Sequence, residues 1–209
     1  MNRIIFCIII LLGCCSCTSI NVKDNLQPFE RKGHGNLIVL LSDFNTKDLY
    51  DDQDAEACIG KSLKKESNKF DIFPAKQFRD AMFPFFLAST TPNTKEEYQK
   101  FLSRPVVQKK MSFLDISYIV ILKIFTSNEI DSIAGCGYGG CLGYGWWKRN
   151  SNVNADIWDV TSKVARNISA QASGTGQMPV FLIPIPVYIP ATESAACREI
   201  GARLAKYLK

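Results

Sequence analysis

The part of the sequence that most constrains the fold is an almost uninterrupted apolar run, residues 118–125 (YIVILKIF). Most of its residues are β-branched or aromatic, and a run of this composition predicts a β-strand. Residues 37–41 (LIVLL) form a shorter run that is typical of a strand covered on both faces. Both runs predict a sheet with helices packed on its faces, and we expect residues 118–125 to lie near its centre.

Three segments carry apolar residues at helical spacing and supply the expected cover for the sheet. The first, around residues 55–63, begins in a group of aspartates, which is favourable at the positive end of a helix dipole. The second consists of two pieces, residues 94–102 and residues 105–111, and Pro105 starts or kinks the second piece. The third ends the chain and has Thr192 or Ser194 as its predicted N-cap.

Further strands complete the predicted sheet. Residues 70–73 form a short strand that ends at Pro74, and residues 154–173 form a hairpin that turns at residues 161–163. The fold class is therefore α/β (α+β), with a single mixed β-sheet of about five strands and three main helices. One domain, residues 36–209, contains all of these elements.

The amino-terminal segment, residues 1–17, has the composition of a bacterial lipoprotein signal. One basic residue precedes an apolar run that ends in glycine and closely spaced cysteines. The run is too short to span a bilayer as a helix. Residues 11–14 (LLGC) resemble the lipobox that is read by the lipoprotein signal peptidase, which predicts an acyl chain on Cys14. Cys17, which follows a small residue, is the alternative anchor.

The sequence just after the signal predicts where the protein is held. In lipoproteins of this kind an aspartate directly after the anchor favours the inner membrane, whereas here that position is Cys15 or Thr18. We therefore expect an outer-membrane protein that faces the periplasm. Residues 18–35 are polar and contain Pro28 and Gly33, so we expect them to form a flexible tether.

Four cysteines lie beyond the signal, and an oxidising compartment makes them candidates for disulfide bonds. Cys136 and Cys141 lie in one glycine-rich segment, whereas Cys58 and Cys197 each lie on a predicted helix. Among the possible pairings we predict Cys136–Cys141 and Cys58–Cys197. The second bond requires the first and last helices to be adjacent on one face of the sheet.

Composition and motifs argue against several classes of function. With a net charge of +5, 22% charged residues and no run of like charges, the sequence does not predict nucleic-acid binding. Residues 55–62 lack the first glycine of a phosphate-binding loop, so no nucleotide cofactor is expected. His34, the only histidine, lies in the expected tether and leaves no metal-ligand spacing and no base for a catalytic triad. We therefore predict no cofactor, no metal and no catalytic residue.

A glycine-rich segment, residues 134–148, is predicted to be a flexible loop pinned by the Cys136–Cys141 bond. It displays aromatic residues of a kind that contact partner proteins or membrane headgroups, namely Tyr138, Tyr144, Trp146 and Trp147. The tryptophans could instead fold back on the core, and the sequence leaves both arrangements open. Residues 178–190 are apolar but interrupted by prolines, so we expect them to be extended rather than helical.

Two motifs resemble those of a superfamily of periplasmic lipoprotein domains. Residues 115–120 (DISYIV) are similar to its -xDYxVxG- strand, and residues 156–164 (DIWDVTSKV) are similar to its -xDxxTGxV- hairpin. The superfamily includes the TolB amino-terminal domain, the curli-secretion lipoprotein and the penicillin-binding-protein activator lipoproteins. The similarity covers residues 36–208 by pattern and implies a non-catalytic envelope domain that binds other proteins.

The sequence therefore predicts a non-enzymatic, lipid-anchored envelope protein, an accessory or assembly factor that is held to the membrane through an acylated cysteine and binds other envelope proteins. Two alternatives stay open. An enzyme that acts on peptidoglycan or lipid would need a polar cleft with carboxylates or a nucleophile. An oligomeric secretion subunit would need a pair of amphipathic strands long enough to cross a membrane. The hairpin predicted at residues 154–173 is too polar for that role.

Overall fold

A computed structural model describes residues 17–24, 36–42, 52–85, 92, 94–137, 140–180 and 191–208. Six strands and five helices lie within these ranges. In chain order they are β1 (Cys17–Asp24), β2 (Leu37–Ser42), α1 (Asp52–Glu66), β3 (Asp71–Phe73), α2 (Ala75–Ala81), α3 (Lys95–Leu102), α4 (Pro105–Phe113), β4 (Ile116–Gly137), β5 (Gly140–Asp159), β6 (Ala165–Val180) and α5 (Thr192–Tyr207).

All of the described strands belong to one mixed sheet with the order β1-β6-β5-β4-β2-β3. The pairs of β2 with β3 and β2 with β4 are parallel, and the other pairs are antiparallel. A single mixed sheet with an interior β4 is confirmed. The expected numbers of strands and helices were too low, because β1 and α2 were not predicted and Pro105 separates α3 and α4 completely.

Helices cover the two faces of the sheet and create two apolar cores. On one face, α1 and α5 pack side by side, with Ile59, Leu63, Ile200 and Leu204 buried against alternate residues of β4, β5 and β6. On the other face, α2, α3 and α4 pack over β2 and the beginning of β4. The expected adjacency of the first and last helices is therefore confirmed.

The approach of α1 to α5 is close because glycine removes a side chain from the contact. A Cβ atom on Gly201 would lie 2.5 Å from the Cβ of Ser62 and 2.7 Å from the carbonyl oxygen of Ile59. The Ser62 hydroxyl also donates a hydrogen bond of 2.7 Å to the carbonyl oxygen of Arg198. The two helices are therefore joined by backbone contact and not only by apolar side chains.

The β5–β6 hairpin turns where the sequence predicts it. The Asp159 carboxylate accepts hydrogen bonds from the amides of Thr161 and Ser162 at 2.8 and 3.0 Å. Lys163 takes a left-handed backbone conformation with φ of 58°, the region that glycine usually occupies in such turns. In the second strand Ile168 and Ala170 are fully buried while Asn167 and Gln171 are exposed, so one face of this strand meets water.

Two expected irregular segments contain regular strands. The tether was expected to begin at Thr18, but residues 17–24 form β1 and pair with β6. The loop expected at residues 134–148 is instead the end of the β4–β5 hairpin, because the glycines continue the strand pairing. Residues 178–180 belong to β6 and are extended as expected, whereas residues 181–190 and 25–35 lie outside the described ranges.

We expect Gly201→Ala to destabilise the fold, because the new methyl group meets helix backbone that cannot move cheaply. Overpacking of this kind costs about 1–3 kcal/mol, which the better helix propensity of alanine offsets by up to about 1 kcal/mol. Chemical denaturation should therefore show a free energy of unfolding lower by about 1–2 kcal/mol.

The matched control for this prediction is Gly60→Ala on the facing helix. Its new Cβ would meet only side-chain ends, Ile72 Cδ1 at 2.7 Å and Leu40 Cδ1 at 3.6 Å. We expect the free energy of unfolding of this variant to be unchanged or higher. A Gly201→Ala protein as stable as the wild type would contradict the backbone-contact interpretation of the helix seam.

Candidate functional site

The strands β4, β5 and β6 extend far beyond the end of β2. The pairing of β2 with β4 ends at Ser42 and Leu122, but β4 and β5 stay paired to Gly137 and Gly140. The remaining length of β4, residues 123–137, corresponds to roughly 50 Å of strand. We call this extension, with its partners in β5 and β6, the ribbon.

The first residue of β1 lies at a defined level on the ribbon. Cys17 pairs with Thr175 of β6, Thr175 pairs with Lys148 of β5, and Lys148 pairs with Glu129 of β4. These four residues form one row across the sheet, which we call the Cys17 row. The candidate anchor Cys17 is therefore fixed by strand pairing, whereas Cys14 lies outside the described residues.

The segments of β4, β5 and β6 that continue past the Cys17 row, away from the helices, contain almost no charged residues. This part, the ribbon end, consists of residues 130–137, 140–147 and 176–180, and Asp131 is its only charged residue. In the sequence no Asp, Glu, Lys or Arg occurs from residue 132 to residue 147 or from residue 167 to residue 192. The boundary between charged and uncharged sequence thus coincides with the level at which β1 begins.

Two of the predicted contact residues lie directly at this boundary. Trp146 and Trp147 follow one another in β5, so their side chains leave the sheet on opposite faces. Both are half-buried, and the indole N–H of Trp147 is buried without a hydrogen-bond acceptor among the described residues. The backbone of Tyr144 continues β5 towards the tip, and Tyr138 lies outside the described residues.

The cysteines of the ribbon end are brought together by the strand register. Cys136 and Cys141 are direct Cα partners on neighbouring antiparallel strands. Cβ atoms of directly opposite residues are about 4.5–5.5 Å apart in general, which is near the separation that a disulfide spans. The Cys136–Cys141 bond stays a prediction. With this register it would join two paired strands, whereas the sequence analysis expected it to close a flexible loop.

The second predicted pair meets at the seam between α1 and α5. Cys58 and Cys197 are free thiols in side-chain hydrogen-bond contact, with Cys197 fully buried and Cys58 partly exposed. The hydrogen bond from the Cys197 thiol lowers the pKa of Cys58, and the positive charges of Arg198 and Lys61 lower it further. The same hydrogen bond and burial raise the pKa of Cys197. The two cysteines that the sequence analysis predicted to pair are therefore close together in the fold, although their disulfide bond stays a prediction.

A buried polar network ties the beginning of α5 to the ribbon. The Thr192 hydroxyl lies 2.7 Å from the Ser151 hydroxyl, and the Thr126 hydroxyl donates to the Glu193 carboxylate at 2.8 Å. Arg149 donates to the same carboxylate oxygen at 2.5 Å. The network joins β4, β5 and the first turn of α5, where a carboxylate is favoured by the helix dipole.

The sequence prediction did not find this network, and its N-cap prediction for α5 was wrong. The N-cap is Ala191, which has no side-chain cap, because the Thr192 hydroxyl faces Ser151 and the Ser194 hydroxyl donates to the carbonyl oxygen of Ala191. The sequence offered one signal, because Glu193 ends a stretch of uncharged residues. Only the structure shows that Glu193 is nine-tenths buried. A buried carboxylate needs a cation or several donors.

The described residues contain neither a metal-ligand cluster nor a helix that could cross a membrane. No group of three or more His, Cys, Asp and Glu side chains within these ranges is placed to hold a metal ion. No helix of the described chain has the length and apolar character that crossing a membrane requires.

Comparisons with known proteins give no family. No family model and no curated protein matches the chain. Among solved structures, a variant PelC dodecamer from Paraburkholderia phytofirmans is 9% identical with a TM-score of 0.40, covering 90% of this chain and 99% of that one. A second PelC dodecamer is 10% identical with a TM-score of 0.37 and coverage of 92% and 98%. The hypothetical protein CT253 from Chlamydia trachomatis is 12% identical with a TM-score of 0.41 and coverage of 83% and 98%.

At these TM-scores and identities the likeness assigns neither a family nor a function to this chain. The resemblance to the TolB-like lipoprotein superfamily stays a prediction.

We expect Glu193→Ala to lower the free energy of unfolding by about 2 kcal/mol, because Arg149 and Thr126 would lose their shared acceptor in a largely buried place. Glu199→Ala on the same helix is the matched control. It removes a solvent-screened pair with Arg203, for which about 0.5 kcal/mol or less is expected. Equal destabilisation of the two variants in urea denaturation would contradict a structural role for the network.

Proposed function

We propose that this chain is a lipid-anchored accessory protein of the bacterial envelope, held at the outer membrane and facing the periplasm. It acts by binding other envelope proteins, not by catalysis. Its contact surface is the ribbon end, which lies at the same end of the sheet as the acylated cysteine. The observation that carries the proposal is the coincidence of the Cys17 row with the charge boundary.

The position of β1 supports this arrangement. An acyl chain on Cys17 would leave the sheet directly at the row, and an acyl chain on Cys14 would add at most three residues, about 10 Å. Since β1 runs away from this row towards the helix-covered core, the membrane would lie beyond the row on the side of the ribbon end. An uncharged ribbon end with tryptophans at its boundary suits a position at the membrane surface, since aromatic residues favour membrane–water interfaces.

The partner expected at the ribbon end is therefore a protein embedded in or lying on the same membrane. Trp146 and Trp147 offer large apolar surfaces, which are typical anchors of protein interfaces.

Export and acylation are tested by labelling cells with radioactive palmitate. We expect the wild-type protein to incorporate the label and one of the two variants, Cys14→Ser or Cys17→Ser, to lose it, because the thioether forms at a single cysteine. Thr18→Ser, next to the candidate anchors, is the control and should keep the label. An unlabelled wild-type protein that retains Met1 would contradict the proposal.

The contact surface is tested by placing a photocrosslinking residue at Lys148, on the Cys17 row, in intact envelopes. We expect protein adducts whose yield falls about tenfold or more in a Trp146→Ala, Trp147→Ala variant, because buried aromatic residues carry much of the binding energy of an interface. Phe113→Ala, which removes an exposed ring on α4, should leave the yield unchanged.

A crosslinking residue at Thr161, in the β5–β6 turn at the other end of the sheet, is the positional control and should give few adducts. Recovery of every partner in equal amounts from the double variant would argue against the ribbon end as the contact surface.

A further inference from the structure

We propose that Cys58 and Cys197 form a thiol–disulfide exchange site, in which Cys58 is the entry thiol for an external disulfide and Cys197 is the resolving thiol. The sequence predicts that the two cysteines pair. The structure adds an order of reaction, because the two sulfur atoms differ in accessibility while they remain in contact. The proposal does not depend on the proposed function.

The two thiols differ in their access to solvent. Cys58 lies on α1 between exposed residues, Ala57 and Lys61, and is itself partly exposed. Cys197 is 0% exposed and belongs to the apolar core between α5 and the sheet. A disulfide of another molecule can therefore reach Cys58 in the folded protein, whereas it can reach Cys197 only after local opening of the helix seam.

The contacts between α1 and α5 hold the two thiols in a fixed relative position. Gly201 holds the two helices at backbone contact, and the hydrogen bond from Ser62 to the carbonyl oxygen of Arg198 joins them again beside the thiols. The Cys58 thiol also lies 3.9 Å from the carbonyl oxygen of Ser194. The resolving sulfur is thus held next to the entry sulfur before any reaction begins.

Positive charge surrounds the entry thiol and favours its thiolate form. Cys58 accepts a hydrogen bond from Cys197, and the cationic side chains of Arg198 and Lys61 are nearby, so its pKa is below the ordinary thiol value. A thiolate is the attacking species in disulfide exchange. The thiol of Cys197 donates that hydrogen bond and is buried, which raises its pKa and keeps it protonated until the first step is complete.

The reaction balances as two exchanges with one disulfide, written RSSR. The Cys58 thiolate attacks one sulfur of RSSR, the S–S bond of RSSR breaks, and the leaving RS⁻ takes up a proton. Cys197 then loses its proton and attacks Cys58 Sγ, which releases the second RS⁻. The two protein thiols are oxidised by two electrons to Cys58–Cys197, and RSSR is reduced to two RSH.

The test uses the full-length chain, purified in detergent and fully reduced, with oxidised glutathione as the probe. Trypsin separates Cys58, in the peptide 48–61, from Cys197, in the peptide 167–198, so mass spectrometry can follow each site despite the other cysteines. We expect the wild type to form the Cys58–Cys197 bond with little lasting adduct. Cys197→Ala should accumulate glutathione on Cys58.

Cys58→Ala should react at Cys197 at least about tenfold more slowly, because access then requires local opening. Lys61→Gln should slow adduct formation at Cys58 relative to its control Lys65→Gln, which lies a further turn away. Oxidised wild-type protein should melt about 5 °C or more above the reduced form, since the new bond closes a long loop. Neither alanine variant should show this shift under the same oxidant.

Equal rates of glutathione addition to Cys197 in the Cys58→Ala variant and to Cys58 in the Cys197→Ala variant would overturn the assigned order. Stable adducts on the wild-type protein without an internal bond would overturn the exchange site itself. Circular dichroism of each reduced variant checks that it is folded, and Cys58→Ser and Cys197→Val replace any alanine variant that is not.

Discussion

The pairing of β4 with β5 organises the molecule, because both strands continue long after β2 has ended. Up to Leu122 the strand β4 has a neighbour on each side and a helix layer on each face, so its side chains are buried alternately in two cores. Beyond Leu122 the same strand has β5 as its only described neighbour. One continuous strand therefore connects the packed core with the ribbon end.

The contact between α1 and α5 fixes the helix layer on one face of the sheet. Gly201 allows the helix backbones to approach, and the apolar stripes of both helices then close over the sheet. The first and last helices of the domain are brought together in this way, although more than a hundred residues separate them. The same approach holds the two thiols of the seam at contact distance.

The sequence predicted well those elements whose signal is local. Residues 118–122 of the apolar run are buried in an interior strand, although Phe125 at its end is exposed. The hairpin turns at Asp159–Lys163, and the stripe with Cys197 and Leu204 is buried as expected. Prediction failed where polar or glycine-rich chain forms strands, since β1 and the ribbon end are stabilised by backbone pairing with distant segments and not by their own composition. Composition alone suggested a tether and a loop there.

The candidate site was predictable in its residues but not in its arrangement. The tryptophans and the cysteines were identified as residues of interest from the sequence. Their positions next to the Cys17 row, in the ribbon end or at the helix seam depend on the register of the sheet and the packing of α1 on α5. The network around Glu193 needed three separate elements to come together. No short-range pattern contains that information.

The direction of β1 has a mechanical consequence for a protein held by its amino-terminus. β1 runs from Cys17 towards the core, antiparallel to β6, and its eight residues are all in register with that strand. A pull on Cys17 away from the core acts along the strand axis, so it loads the hydrogen bonds of β1 together in shear and does not peel them apart singly. Such a strand resists tension along its axis, so with the proposed acyl anchor near Cys17 it would transmit force from the membrane directly to the sheet.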